Sequence, residues 1–155
     1  MSAAGRTVAL AGNPNVGKST VFNALTGMNQ HTGNWSGKTV ELARGRFVYK
    51  AEEYRLIDLP GTCSLLGRSE EERVAAEFVR GGEADCTVVV CDATCLARSL
   101  ILALQVMELT DRVIVCVNLL DEAARMGLTL DLRALERGLG VPVVGTAAGR
   151  REGLD

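Results

Sequence analysis

The sequence predicts an α/β fold: a mostly parallel six-stranded sheet with helices on both faces. Three observations carry that expectation. Short aliphatic runs alternate with segments of helical period along the chain. The first of those runs ends in a Gly-rich loop that opens a helix. Hydrophobic residues make up 47% of the 155 residues while aromatics make up only 4%. A core of Val, Leu, Ile and Ala suits parallel strands buried on both faces.

The elements follow in order. Thr7 to Ala11 is a short apolar run and reads as a buried strand. Lys18 to Thr26 carries Val21, Phe22 and Leu25 at helical spacing, and Gly27 is a stop signal. Met28 to Lys38 is polar and Gly-rich and is expected to be a mobile loop. Val40 to Lys50 and Tyr54 to Leu59 read as an antiparallel pair turning around Ala51-Glu52-Glu53. Gly61 to Ser69 is loop-like, and Glu70 to Arg80 reads as a helix. Cys86 to Cys91 is a continuous apolar strand, followed by a helix over Leu96 to Leu109. Arg112 to Val117 is another buried strand, Asp131 to Leu139 a helix, and Val141 to Val144 the last strand. The chain reaches Asp155 where a closing helix would begin. The face near Ile114, Val143 and Val144 is therefore expected to be poorly covered. Such a face favours self-association, as a homodimer or a domain-exchanged dimer.

One chain of 155 residues fits a single domain, here 1–155. The net charge is −2, from 17 Lys and Arg against 19 Asp and Glu. That balance lacks the basic excess of a nucleic-acid surface. No apolar run approaches the ~20 residues that span a bilayer, and the N-terminus lacks a signal-peptide stretch. Cys86, Cys91 and Cys116 sit in apolar runs and read as small buried hydrophobes. Cys91 and Cys95 have no His or second Cys pair beside them, so a metal site is not favoured.

The run Gly12-Asn13-Pro14-Asn15-Val16-Gly17-Lys18-Ser19 fits G-x-x-x-x-G-K-[ST] between a strand and a helix. Glycines let the backbone approach phosphate, and backbone N–H groups with the helix N-terminus face the anion. Lys18 is expected to reach the β- and γ-phosphates. Ser19, with Thr20 beside it, opens the helix, and the Ser19 hydroxyl is expected to ligate Mg2+. The bland alternative is a Gly-rich turn with a solvated lysine.

Three later segments fit the same chemistry. Asp58-Leu59-Pro60-Gly61 ends a strand: Asp58 suits Mg2+ through water, and Gly61 can donate its N–H to the γ-phosphate. D-x-P-G is also an ordinary turn signal. Asn118-Leu119-Leu120-Asp121 resembles the guanine motif of GTPases, with Leu119 where Lys is usual. Asp121 can accept from N1–H and the exocyclic amine of guanine, a donor pair that adenine lacks. Its plain alternative is a helix cap. Gly145-Thr146-Ala147-Ala148 resembles the loop that covers guanine by main-chain N–H groups, with Ala147 where Ser is usual. Thr39 is preferred over Thr32 as the threonine that closes on Mg2+, because it directly precedes the next strand.

With these motifs in order, the chain resembles the cytosolic G domain of FeoB-type ferrous iron transport proteins, a P-loop NTPase with the Ras-like small-GTPase fold. The discriminating stretch is Gly33-Asn34-Trp35-Ser36-Gly37-Lys38-Thr39-Val40-Glu41, which looks like that family's switch segment. The resemblance implies GTP binding and hydrolysis to GDP at the cytoplasmic face of the bacterial inner membrane. The implied partner is the transmembrane domain of the same transporter, and a helical domain usually lies between. Thr62 stands where Ras-like proteins carry a catalytic Gln. The resemblance therefore points to the potassium-activated GTPases of the TrmE-Era group, with Asn15 as a K+ ligand. A loop-shaping role is the plain alternative for Asn15.

Two other function classes stay open from sequence: a TrmE-Era-type GTPase acting on RNA or ribosomes, or a stand-alone switch, and an ATPase. His31, the only histidine, reads as a solvated loop residue. Trp35 either shields nucleotide or anchors its loop, Ser64 is near the switch, and Cys63 reads as exposed.

Overall fold

A computed structural model describes residues 5–27, 30–34 and 41–148. Among them lies a seven-stranded sheet in the order β2-β3-β4-β1-β5-β6-β7. The strands are β1 (Arg6–Gly12), β2 (Gln30–Asn34), β3 (Glu41–Tyr49), β4 (Glu52–Asp58), β5 (Cys86–Asp92), β6 (Val113–Asn118) and β7 (Val143–Gly145). The helices are α1 (Lys18–Thr26), α2 (Glu70–Arg80), α3 (Leu96–Leu109), α4 (Leu120–Arg125) and α5 (Leu132–Leu139). β4, β1, β5, β6 and β7 run parallel, and β2 and β3 add to them antiparallel.

The period of two divides the apolar residues between two cores. Ala9 and Ala11 of β1, Val89 and Cys91 of β5, and Val113, Val115 and Val117 of β6 face the cluster under α2 and α3. Leu10, Val90 and Cys116 alternate onto the opposite face, where Val21 and Phe22 of α1 cover them. Strands apolar on both faces belong in the middle of a parallel sheet, as the aliphatic composition implied. Helix bounds follow local chemistry: Gly27 ends α1 at φ 66°, and the Ser69 side chain caps α2 by accepting the Glu72 N–H.

Four features depart from the sequence-based expectation. Residues 30–34, expected in a loop, form β2 against the free edge of β3, with Gln30 opposite Gly45 and Asn34 opposite Glu41. The stretch Gln-His-Thr-Gly-Asn has no apolar alternation; its pairing comes from the edge offered by β3. β2 also brings the sheet to seven strands rather than six. The β3–β4 hairpin turns one residue early, at Lys50-Ala51, which both hold positive φ, 50° and 66°. That is the backbone of a two-residue hairpin turn, reached without the Asn-Gly that usually advertises it. Helix α4 is too short to show a period.

The α1 face carries an apolar groove of about 650 Å³, lined in part by Val8, Leu25, Phe47, Tyr54, Ile114 and Val144. Ile114 and Val144 lie on this face as expected. Val143 points the other way, into the cluster under α3, because neighbouring residues of a strand alternate.

Burial pushes the Cys91 thiol up to about 12, and burial raises Cys116 as well, with Thr146 pulling it partly back. A raised thiol pKa contributes stability that is complete below the unfolded value near ~8.5 and is lost as pH climbs toward the folded one. In the native chain at pH 8, iodoacetamide is expected to modify exposed Cys63 first and Cys95 more slowly. Cys91 and Cys116 should react only after unfolding, as read by mass spectrometry.

Candidate nucleotide-binding site

The segments singled out from sequence converge at the carboxyl ends of β1, β4, β6 and β7. This is where open α/β sheets place their ligands. β1 ends at Gly12, and the following loop is pinned from below by Val16, which is 3% exposed in the α1-side core. Asn15, at the loop's crest, is exposed and holds φ 69°. Pro14 is exposed beside it, whereas Asn13 is buried. The Asn13 Oδ1 atom is buried without a hydrogen-bond partner among the described residues. Such orphaned acceptors are rare and mark sites that are completed by something else.

Gly17 caps α1 at φ 84° with no side-chain cap bond. The first-turn N–H groups of α1, around Lys18, Ser19 and Thr20, therefore lack a side-chain cap. A Cβ at Gly17 would also collide with the Asn118 amide nitrogen. This position thus needs glycine for both its backbone and its neighbour. Ser19 and Thr20 are exposed at the helix mouth.

β4 delivers Asp58 beside Lys18. Lys18 Nζ forms an ion pair with Asp58 Oδ1 and donates to the Leu59 carbonyl at 2.8 Å. Burial raises the Asp58 carboxyl above the ordinary carboxylate value, and the Lys18 ammonium pulls it part of the way back. Two main-chain bonds hold the chain after this strand to the end of β1: Leu59 N–H to the Leu10 carbonyl at 3.0 Å and Thr62 N–H to the Gly12 carbonyl at 3.1 Å. Gly61 lies between them, against Pro14. Thr62 is 7% exposed, so its side chain is buried rather than offered to the site.

Asn118, at the end of β6, ties three loops together. Its Nδ2 donates to the Val16 carbonyl at 3.1 Å. Its Oδ1 accepts from the Thr146 hydroxyl at 2.8 Å and from Ala148 N–H at 3.0 Å. Since the Thr146 proton goes to Asn118, Cys116 Sγ is left to donate to Thr146 Oγ1 at 3.4 Å. Leu119 then takes φ 66°, a left-handed conformation that a leucine holds only under constraint. That turn starts α4 and sets half-buried Asp121 in its first turn. Ala147 and Ala148 are buried, 3% and 2% exposed.

The structure thus brings Asn13 to Thr20, Asp58, Gly61, Asn118, Leu119, Asp121, Thr146, Ala147 and Ala148 to one edge of the sheet. Thr39, Trp35 and the rest of 35–40 lie outside the described residues. Of Thr32 and His31 only the backbone, in β2, is described. Sequence reasoning missed the side-chain role of Thr146, assigned there to main chain alone, and treated Cys116 only as filler. Both contacts join residues about 30 apart in sequence and leave no local pattern.

Comparison with known proteins identifies the family. The profile described as ferrous iron transport protein B matches residues 6–155. The chain belongs to the FeoB family. It is 42% identical over 153 residues to the Fe(2+) transporter FeoB of Salmonella typhimurium, covering 96% of this chain and 20% of that protein. With the Escherichia coli FeoB the identity is 41% at the same coverage. The chain spans about a fifth of the length of these curated relatives. Its fold is that of the FeoB G domain. The crystal structure of the isolated G domain of T. maritima FeoB superposes with a TM-score of 0.89 at 44% identity, covering 96% of this chain and 91% of that one. The cytosolic domain of the same transporter in its GMPPNP form gives 0.92 at 44% identity, covering 96% and 59%. No helix among the described residues of this FeoB-family chain is long and apolar enough to cross a membrane.

Proposed function

We propose that this chain binds GTP and hydrolyses it to GDP, acting as the cytosolic regulatory domain of a ferrous iron transporter at the inner membrane. Its partner is then the transmembrane part of the same transporter. The single observation that carries the reading is the three-way tie at Asn118. One side chain holds the phosphate loop through Val16 and the base loop through Thr146 and Ala148. Phosphate and base recognition are thereby built as one rigid unit. The crystallised T. maritima cytosolic domain in GDP and GMPPNP forms supports the choice of nucleotide.

The residues fit the ions that the family implies. Ser19 at the helix mouth and Asp58 at the end of β4 offer oxygen ligands that suit Mg2+, and the side-chain amide of exposed Asn15 suits K+. Bound there, the two ions would supply positive charge around the β- and γ-phosphates. The chain's own residues do the rest. Lys18 leaves Asp58 for the β- and γ-phosphates. The first-turn N–H groups of α1 hold the phosphate oxygens, and Gly61 N–H donates to the γ-phosphate. As a water oxygen bonds to the γ-phosphorus, the bond to the bridging oxygen breaks, GDP leaves with that electron pair, and the water's proton passes to an oxygen of the released phosphate. Charge building on the bridge meets fixed donors, which lowers the barrier. Asp121 selects guanine through its carboxylate.

GTP turnover in KCl against NaCl, with ATP as the competing substrate, tests this reading. The wild type should turn over GTP about tenfold or more faster in K+. Asn15→Ala should be equally slow in both salts while still binding GDP. Equal wild-type rates in the two salts would remove the K+ assignment, and a preference for ATP would remove the function.

A further inference from the structure

The loop from Gly61 to Ser69 has no regular structure, yet it is held at several fixed points. Its start is bonded to Gly12 through Thr62 N–H. Its end is tied to α2 in an unusual way. Ser69 caps the helix by accepting Glu72 N–H at 3.1 Å. In a reciprocal capping box the Glu side chain would turn back to the Ser69 N–H. Here Glu72 Oε1 instead accepts from Ser64 Oγ and from Arg68 N–H, both at 3.1 Å.

A further tie crosses to another helix. Leu65 N–H donates to Gln105 Oε1 of α3 at 2.5 Å, across 40 residues of sequence. The Leu65 side chain is itself 9% exposed, sunk in the cluster shared by α2 and α3. Gln105 is half-buried and sits between Ala103 and Val106, which point into that core. The helix therefore cannot shift without carrying the tie with it.

We propose that Gln105 is a positioning residue for GTP hydrolysis, holding the Gly61 loop through Leu65 N–H in the geometry that aims Gly61 N–H at the γ-phosphate. This rests on reading the chain as a GTPase. Gly61 has no side chain with which to fix itself, and ordering a free stretch of backbone costs conformational entropy. Thr62 N–H anchors the residue after Gly61 and Leu65 N–H anchors the loop three residues further on, so the stretch that follows Gly61 is held at both ends. A donor already in place costs no reorganisation at the moment of reaction. GDP does not need the Gly61 contact, since it is held by the phosphate loop and the base loops. Loss of Gln105 should therefore act on turnover and spare GDP.

Two variants separate this role from simple packing. Gln105→Leu keeps the size and removes the acceptor, whereas Gln105→Glu keeps an acceptor oxygen. Gln105→Leu should lower kcat about fivefold, the worth of one hydrogen bond near 1 kcal/mol, with GDP affinity held within about twofold. Gln105→Glu should stay within about twofold of wild type on both measures. Hydrogen exchange at the Leu65 amide reads the tie without turnover: slow in wild type and Gln105→Glu, faster in Gln105→Leu. Wild-type kcat and exchange in Gln105→Leu would overturn the proposal, as would a parallel loss of GDP affinity and kcat. A wild-type chain with a protected Leu65 amide and no GTP turnover would sink the GTPase reading and leave the tie standing. Turnover with an unprotected amide would sink the tie alone.

Discussion

Asn118→Ala is expected to destabilise the fold by about 3 kcal/mol, lowering Tm by roughly 6–12 °C. Asn118 is 1% exposed, and its truncation removes a partner from three groups at once: the Val16 carbonyl, the Ala148 N–H, and the Thr146 hydroxyl, which keeps only Cys116 Sγ. Each orphaned group costs about 1–3 kcal/mol, and water entering the gap recovers part of it. The phosphate loop and the base loop are then no longer one unit, so nucleotide affinity should fall with stability. Thermal denaturation followed by circular dichroism, without nucleotide, measures the first effect. A Tm within about 2 °C of wild type would show that the tie does not stabilise the fold.

Asp121→Asn should do the reverse: it should leave the fold alone and remove the base. Asp121 is half-buried in the first turn of α4 and takes no part in the Asn118 tie. Surface-type substitutions of this kind stay within about 0.5 kcal/mol in stability. Toward guanine the change is large. A carboxylate accepting two N–H bonds contributes about 1.5–3 kcal/mol per bond, and the amide keeps only one acceptor. GTP and GDP affinity should drop about 100-fold or more, measured by titration with a fluorescent nucleotide. The amide N–H would instead suit a base with a carbonyl at that position, so XTP should gain on GTP. Unchanged GTP affinity would show that Asp121 does not read the base. On the proposed reading the two neighbours would separate, Asn118 carrying architecture and Asp121 specificity.

The legible part of this molecule was the part written in contiguous residues. Gly12 to Ser19 carries its motif within eight positions, and the helix it opens ends at a glycine about two and a half turns later. α2 and α3 were legible to the residue, and the structure shows why α2 starts where it does: the Ser69 side chain caps it by accepting the Glu72 N–H. The aliphatic runs in β1, β5 and β6 could be placed in the sheet centre from composition alone. β2 could not, because Gln30 to Asn34 pairs through backbone groups that any sequence possesses. Nor could the turn at Lys50-Ala51, where hairpin closure imposes positive φ on residues that do not favour it.

Sequence by itself determined which loops were expected to meet a nucleotide, and the order of the strands and helices apart from β2 and α4. It did so because apolar period, glycine spacing and helix caps act over a few residues. Tertiary structure alone decided what makes those loops a single site. Asn118 reaches Val16 across 102 residues, and Leu65 reaches Gln105 across 40. Such bonds depend on where the sheet sets distant strand ends side by side, a distance that no local pattern encodes.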